Sequence, residues 1–279
     1  MTRVAVTGGS GLTGRYVVDD CLAHGYDVVN VDRTPPEWFS PTSFVRADLT
    51  ELGSTFEALS GVDAVVHLTT ISTPVVRVDS DAFRANLDAA YNVFTAAAQL
   101  GLSRVVWASS ETVFGVPFGP GRLAYAPVDD AHPLYPESGY ALAKVLSEEL
   151  ARQFSRRYGI TIVGLRLSNV IPPDTYDALA RFQPDVHARK WNLWGYVDAR
   201  DVAQACRLAL EADGVEGAET CIVAAADTVM DRPSRELMAE AFPEVTVRES
   251  VARYGTLLDI AKAQELFGYI PQHTWREAA

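Results

Sequence analysis

Val4-Ala5-Val6-Thr7-Gly8-Gly9-Ser10-Gly11-Leu12-Thr13-Gly14 decides the fold: an apolar run passes through a glycine-rich turn into a helical pattern. From 12 to 24, Val17, Val18, Cys21 and Leu22 fall on one side of that helix, and Gly25 follows as a stop. The same rhythm of strand, loop and helix then repeats. It predicts strands at 27–31, 44–47, 62–68, 104–108 and 161–165, and helices at 55–59, 81–100 and 139–158. The strands read as continuous apolar runs, as expected of strands covered on both faces. Strands alternating with helices imply βαβ units with right-handed crossovers, hence an α/β fold with a doubly wound parallel sheet of the Rossmann type.

Beyond Leu165 the rhythm loosens at Ile171-Pro172-Pro173, then returns with a helix at 198–212 and a strand at 220–224. This predicts a nucleotide-binding domain over 1–171 and 193–228, and a small C-terminal substrate lobe from 172–192 and 229–279. Ligands of such sheets sit beyond the carboxyl ends of the strands, which directs attention to the residues just after Val6, Val31, Ala47, Leu68, Ala108 and Leu165.

The chain of 279 residues carries a net charge of −12 and 48% hydrophobic residues. That surface repels nucleic-acid phosphate and anionic lipid, so neither is an expected partner. No apolar run approaches the ~18 residues that span a membrane. Cys21, Cys206 and Cys221 lie far apart without CxxC spacing, and the histidines are scattered, so neither a metal site nor a disulfide framework is expected. The strand pattern begins at once, without a charged-then-apolar leader, and a cytoplasmic protein is the expectation.

The glycine loop satisfies both Gly8-x-x-Gly11-x-x-Gly14 and Gly9-x-Gly11-x-x-Gly14, between a strand and a helix. Glycine lets backbone approach a pyrophosphate, and the helix start offers free N–H groups to it. Asp32 closes the second strand about 20 residues on, where a carboxylate accepts from ribose hydroxyls and repels a 2′-phosphate. Arg33 follows and is able to hold such a phosphate, but the Asp32 charge lies at the ribose itself, so NAD is expected ahead of NADP. Tyr140-Ala141-Leu142-Ala143-Lys144 places tyrosine and lysine on one helix face. A tyrosine is a poor base near its ordinary pKa of about 10, and a nearby ammonium lowers that value. Ser109-Ser110 lies just past the fifth strand, where a hydroxyl can orient a substrate oxygen toward Tyr140.

With these residues in view, the sequence resembles an extended short-chain dehydrogenase/reductase of the NAD-dependent epimerase/dehydratase family. The resemblance rests on the loop from Thr7 to Gly14, Asp32, Asp48-Leu49, His67-Leu68-Thr69-Thr70, Asn86, Ser109-Ser110-Glu111-Thr112-Val113-Phe114-Gly115, Tyr140 with Lys144, and Arg166-Leu167-Ser168-Asn169-Val170. It implies Ser110, Tyr140 and Lys144 as the catalytic set, with Ser110 rather than Ser109 as the hydroxyl. It implies cofactor contacts from Gly8, Gly11, Leu12, Thr13, Gly14, Asp32, Arg33, Asp48, Leu49, Leu68, Thr69, Thr70, Asn86, Tyr140 and Lys144. Substrate contacts are expected from Ser110, Glu111, Thr112, Arg166 and Asn169, while His67 is expected to be structural. Glu111-Thr112 stands where dehydratases carry an Asp-Glu pair, which lowers the odds of sugar dehydration.

Every chemistry of such enzymes begins with hydride removal from a carbinol carbon. The short 172–192 segment suggests a small sugar-type substrate and a sugar or uronate dehydrogenase. A nucleotide-sugar epimerase with tightly bound NAD is the alternative, and a non-catalytic NAD-binding sensor a weaker third. Arg166, Arg181, His187, Arg189 and Lys190 offer positive charge to an acidic substrate or merely solvate a loop, and Trp191 and Trp194 stack on a sugar or pack the lobe. The resemblance also implies a homodimer through the helices at 81–100 and 139–158.

Overall fold

The computed structural model describes residues 2–70, 79–118 and 121–277. In chain order its first half contains β1 (Arg3–Thr7), α1 (Leu12–Ala23), β2 (Asp27–Asp32), β3 (Ser43–Arg46), α2 (Leu52–Leu59), β4 (Ala64–His67), α3 (Asp79–Leu100), β5 (Arg104–Ser110) and β6 (Tyr125–Ala126). The second half contains α4 (Gly139–Tyr158), β7 (Thr161–Leu167), β8 (Val170–Ile171), β9 (Val197–Asp198), α5 (Ala199–Glu211), β10 (Ala218–Val223), α6 (Ser234–Ala241), β11 (Thr246–Val247) and α7 (Ala261–Phe267).

Seven strands form one sheet in the order β10-β7-β5-β4-β1-β2-β3. All its neighbours are parallel. The chain winds outward from β1 through β2 to β3, then crosses back to β4 on the other side of β1. The order therefore reverses between β1 and β4, the place where a crevice opens at the strand ends.

Strand periodicity explains how both faces are covered. Val4 and Val6, Ala64 and Val66, and Val106 and Ala108 point into a core with Val17, Val18 and Cys21 of α1 and Val202 and Cys206 of α5. Ala5, Val65, Val105 and Trp107 point the other way, into a core with Ala89, Val93 and Phe94 of α3 and Ala151 of α4. The Ser138 hydroxyl opens α4 by accepting the Ala141 N–H at 3.1 Å, and Gly159 closes it at φ 72°.

The main departure from the predicted elements is β5, which runs two residues further. Ser109 and Ser110 still pair with Arg166 and Leu167 of β7, so Ser110 is held by a sheet and not by a loop.

A second apolar core takes in many residues of the segments expected to form the lobe. It gathers Tyr176, Leu179, Val186, Trp194, Leu237, Met238, Leu258 and Trp275. It also takes Val113, Phe114, Phe118, Leu123 and Val128, a stretch whose periodicity gave no sign of this role. Conversely Ala263, Phe267 and Tyr269, expected in the lobe, pack beneath the sheet with α1 and α5. Among the described residues no helix is long and apolar enough to cross a membrane.

Candidate active site

A cleft of about 490 Å³ lies over the switch between β1 and β4. Gly8, Gly11, Leu12, Thr13, Gly14, Asp32, Arg33, Asp48, Leu49, Leu68, Thr69, Thr70 and Asn86 all line it. Thr50, Ala85 and Ala89 line it too and were not expected. Thr50 had a readable signal, because its N–H and hydroxyl both bind the Asp48 carboxylate in a local turn.

Two glycines explain the shape of the cleft. Gly8 sits at φ +71°, a conformation side chains disfavour. A Cβ on Gly14 would stand 2.0 Å from the Gly8 carbonyl oxygen, so only glycine lets α1 start this close to the strand end. The first turn of α1 thus opens its amides onto the cleft. Asp32 is fixed at the far end, accepting from the Ser10 N–H at 3.1 Å and the Arg33 N–H at 2.7 Å. The exposed Arg33 guanidinium lies 3.7 Å from the Asp48 carboxylate, opposite a charge that a 2′-phosphate would have to displace. The amide cradle, the carboxylate and the cleft between them fit a dinucleotide with a free ribose diol, namely NAD.

His67, which the resemblance implies to be structural, is buried. Its Nδ1 meets the Thr7 hydroxyl at 2.8 Å, and burial, helped by the Lys144 charge, pushes its pKa down to about 3.

Ser110 and Tyr140, two of the three residues expected to be catalytic, line a smaller pocket of about 160 Å³ together with Thr13, Leu68, Thr70, Ala108, Ser168 and Val170, and Lys144 lies outside that lining. The pocket shares Thr13, Leu68 and Thr70 with the larger cleft. The Ser110 oxygen accepts from the Thr112 N–H at 3.2 Å and from the Thr112 hydroxyl at 3.0 Å. With those acceptor positions filled, the Ser110 proton is left for the Tyr140 oxygen. Burial raises the Tyr140 pKa, while hydrogen bonds from Ser110 and Thr70 pull it down. Lys144 is buried, donates to the Ala108 carbonyl at 2.6 Å, and lies 5.5 Å from the centre of the Tyr140 ring. Burial lowers its pKa to about 7, and the Glu148 carboxylate opposes that shift.

Two residues expected at the substrate are placed elsewhere. Arg166 points into the protein: Nε and Nη2 donate to Glu148 at 2.9 and 2.8 Å, and Nη1 donates to Asp130 at 3.0 Å. Glu148 also accepts from the Ser109 hydroxyl at 2.7 Å, so the pair ties α4 to the strand that ends in Ser110. Glu111 turns away behind the pocket wall, accepting from Ser168 at 2.6 Å and Asn192 at 3.0 Å. Burial raises its pKa to about 7. Thr112 reaches Ser110, and Asn169 lines a neighbouring cavity that shares Val170 with the catalytic pocket. Asn192 was missed because it meets the site through Glu111, and Ser168, part of the quoted motif but given no role there, both lines the pocket and holds Glu111. The turn after Asn192 has positive φ at Leu193 (58°) and Trp194 (54°), a conformation costing about 1–3 kcal/mol per residue that their complete burial sustains. Trp194 packs in the lobe and donates its ring N–H to the Val186 carbonyl at 2.8 Å.

A parallel sheet with a phosphate loop, a ribose carboxylate and a serine–tyrosine–lysine set defines an NAD-dependent enzyme of the extended short-chain dehydrogenase/reductase type. The family model for the NAD-dependent epimerase/dehydratase family matches residues 4–224, and the chain belongs to that family. It is similar to the L-arabinose 1-dehydrogenase (NAD(P)(+)) of Haloferax volcanii, 31% identical over 181 residues, which are 62% of this chain and 69% of that protein. It is also similar to the putative UDP-glucose 4-epimerase of Methanocaldococcus jannaschii, 29% identical across 60% of this chain and 55% of that protein. Among solved structures, a short-chain dehydrogenase/reductase superfamily protein from Agrobacterium tumefaciens with bound NAD superposes with a TM-score of 0.76 at 21% identity, covering 98% of this chain and 94% of the other. At that identity the superposition speaks for the fold.

Proposed function

We propose that this protein is a dehydrogenase that oxidises a carbinol carbon of a small sugar or sugar derivative. The observation that carries this reading is the catalytic pocket. At about 160 Å³ it brings Ser110 and Tyr140 together at the end of the dinucleotide cleft and has room for a monosaccharide-sized group. The short 172–192 segment and the similarity to an arabinose dehydrogenase support the same substrate class.

NAD held in the cleft would supply the hydride acceptor. Tyr140 takes the proton of the substrate hydroxyl. Ser110, its oxygen saturated by Thr112, donates to the substrate oxygen and holds it toward Tyr140. Lys144, anchored on the Ala108 carbonyl, supplies the positive charge that favours tyrosinate as the proton leaves the hydroxyl. The cofactor contacts are assigned to the cleft residues from Gly8 to Asn86 named above, with Tyr140 and Lys144 at its catalytic end. Ser110, Thr112 and Asn169 are assigned to the substrate side, and Glu111 and Arg166 to support behind it. Residues 172–196 and 229–258, with 113–118, 123–128 and Trp275, are assigned to the substrate lobe.

The test is reduction of NAD⁺ by purified protein with a panel of free aldoses, uronates and sugar phosphates. NADH produced with one class supports the reading. Binding of NAD with no NADH from any of them contradicts it and turns attention to nucleotide-sugars and hydride recycling.

We also propose a homodimer through α3 and α4. Tyr91, Leu142, Leu146 and Tyr158 are apolar or aromatic residues that remain 38–48% exposed on these two helices. A cytoplasmic location is the matching proposal, since all three cysteines are free and buried, which suits a reducing compartment.

A further inference from the structure

We infer that the cavity lined by Asn169, Arg181 and Arg189 is a subsite for an anionic substituent, a carboxylate or a phosphate, on the sugar substrate. The inference rests on the dehydrogenase reading above and narrows its substrate class.

Position comes first. The cavity shares Val170 with the catalytic pocket, so a substituent of a substrate held at Ser110 and Tyr140 lies within reach of it. Size comes second. Its volume is about 210 Å³, enough for a carboxylate or phosphate with part of a sugar chain, and small for a nucleoside diphosphate.

Charge decides the class. Two arginines and no carboxylate line the cavity among the described residues, in a chain whose net charge is −12. Arg189 is only 7% exposed, and its Nε has no hydrogen-bond partner. Its Nη2 donates to the Gly195 carbonyl at 3.0 Å, and its plane lies 5.3 Å from the Phe182 ring centre and 5.0 Å from that of Trp191. The exposed Arg181 lies against the same Phe182 ring, 4.7 Å from its centre. A buried guanidinium and an exposed one thus bracket one aromatic side chain.

Burial and the charge of Arg181 both weigh against the charged form of Arg189. The Glu111 carboxylate favours it but is held by Ser168 and Asn192 behind the wall. An incoming oxyanion relieves the repulsion and supplies acceptors for a planar fork of donors, the geometry arginine offers to carboxylate and phosphate.

The experiment compares matched neutral, uronate and 6-phosphate sugars of the gluco and galacto series. Binding to NAD⁺-saturated protein is read by calorimetry, and turnover by NADH formation. An anionic member should bind at least tenfold tighter than its neutral counterpart, and the uronate and phosphate arms identify which anion is meant. Arg181→Ala, at an exposed position that leaves the fold intact, should lower the anion-to-neutral ratio of affinity and of kcat/KM at least fivefold, mainly through KM. Arg181→Glu should lower it further. Equal affinity for neutral and anionic sugars, a preference that Arg181→Ala leaves unmoved, or no binding of any anionic probe overturns the inference. An Arg181-dependent preference in binding without NADH formation upholds the subsite and removes the dehydrogenase reading. Oxidation of neutral sugars without preference does the reverse.

Discussion

Tyr140 separates binding from chemistry. Its ring helps form the pocket, and only its hydroxyl takes a proton, so Tyr140→Phe removes the base and keeps the wall. Turnover should fall by about 10²–10⁴, while NAD affinity changes by less than about threefold. Stopped-flow NADH formation and a calorimetric NAD titration measure the two separately. His67 makes a prediction about pH. Its pKa is lowered from 6.5 to about 3 by complete burial, so the unfolded state binds the extra proton between those values. Stability from this residue is therefore present above pH 6.5 and lost as pH falls toward 3, at up to ~1.4 kcal/mol per pH unit. His67→Asn should flatten the fall of denaturant midpoint with acid. An unchanged slope in that variant contradicts a neutral buried histidine.

At the scale of elements, α1 and α4 carry the site by different means. The start of α1 depends on backbone proximity, since Gly14 leaves no room for a Cβ beside the Gly8 carbonyl. Gly14→Ala should weaken NAD binding by at least tenfold, read by fluorescence titration, because the loop has to shift. The helix α4 places Tyr140, Lys144 and Glu148 on one face, four residues apart, with Glu148 reaching across to Arg166 and Ser109. Glu148→Ala leaves the Arg166 guanidinium buried with part of its partners gone. A loss of about 3–5 kcal/mol in urea unfolding is expected, against about 0–1 for a surface pair. The cleft-lining residues and the Tyr140–Lys144 pair were legible in the sequence and the Glu148 contacts were not, for a physical reason. Cofactor residues follow strand ends, and strand ends are written in short apolar runs and glycines. The direction of Arg166 depends on Glu148 and Asp130, both distant in sequence, and the burial of Glu111 depends on Asn192 in the lobe. Neither partner leaves a local trace.

For the whole molecule, the reversal of strand order between β1 and β4 sets where everything else goes. It puts the phosphate loop, the Asp32 end and the β5 serine on one edge of a single sheet. The seven sheet strands were all legible, because parallel strands buried on both faces need unbroken apolar runs. The lobe was only partly legible. Its core is assembled from four separated stretches, and Val113 to Val128 joins it through residues without a regular period. The exposed face of α3 and α4 makes the prediction at this scale. Leu146→Asp should convert a dimer into a monomer in sedimentation velocity, and a wild-type chain that already sediments as a monomer contradicts the proposed interface. Ser110, Tyr140 and Lys144 are proposed to take the hydroxyl proton of a sugar carbinol as its hydride passes to NAD. The most direct test is NADH formation from NAD⁺ across the sugar panel by wild type and Tyr140→Phe side by side. NADH is expected from one sugar class with the wild type and almost none with the variant, both binding NAD. Equal rates in the two proteins, or NAD binding with no sugar of any class oxidised, would contradict that proposal.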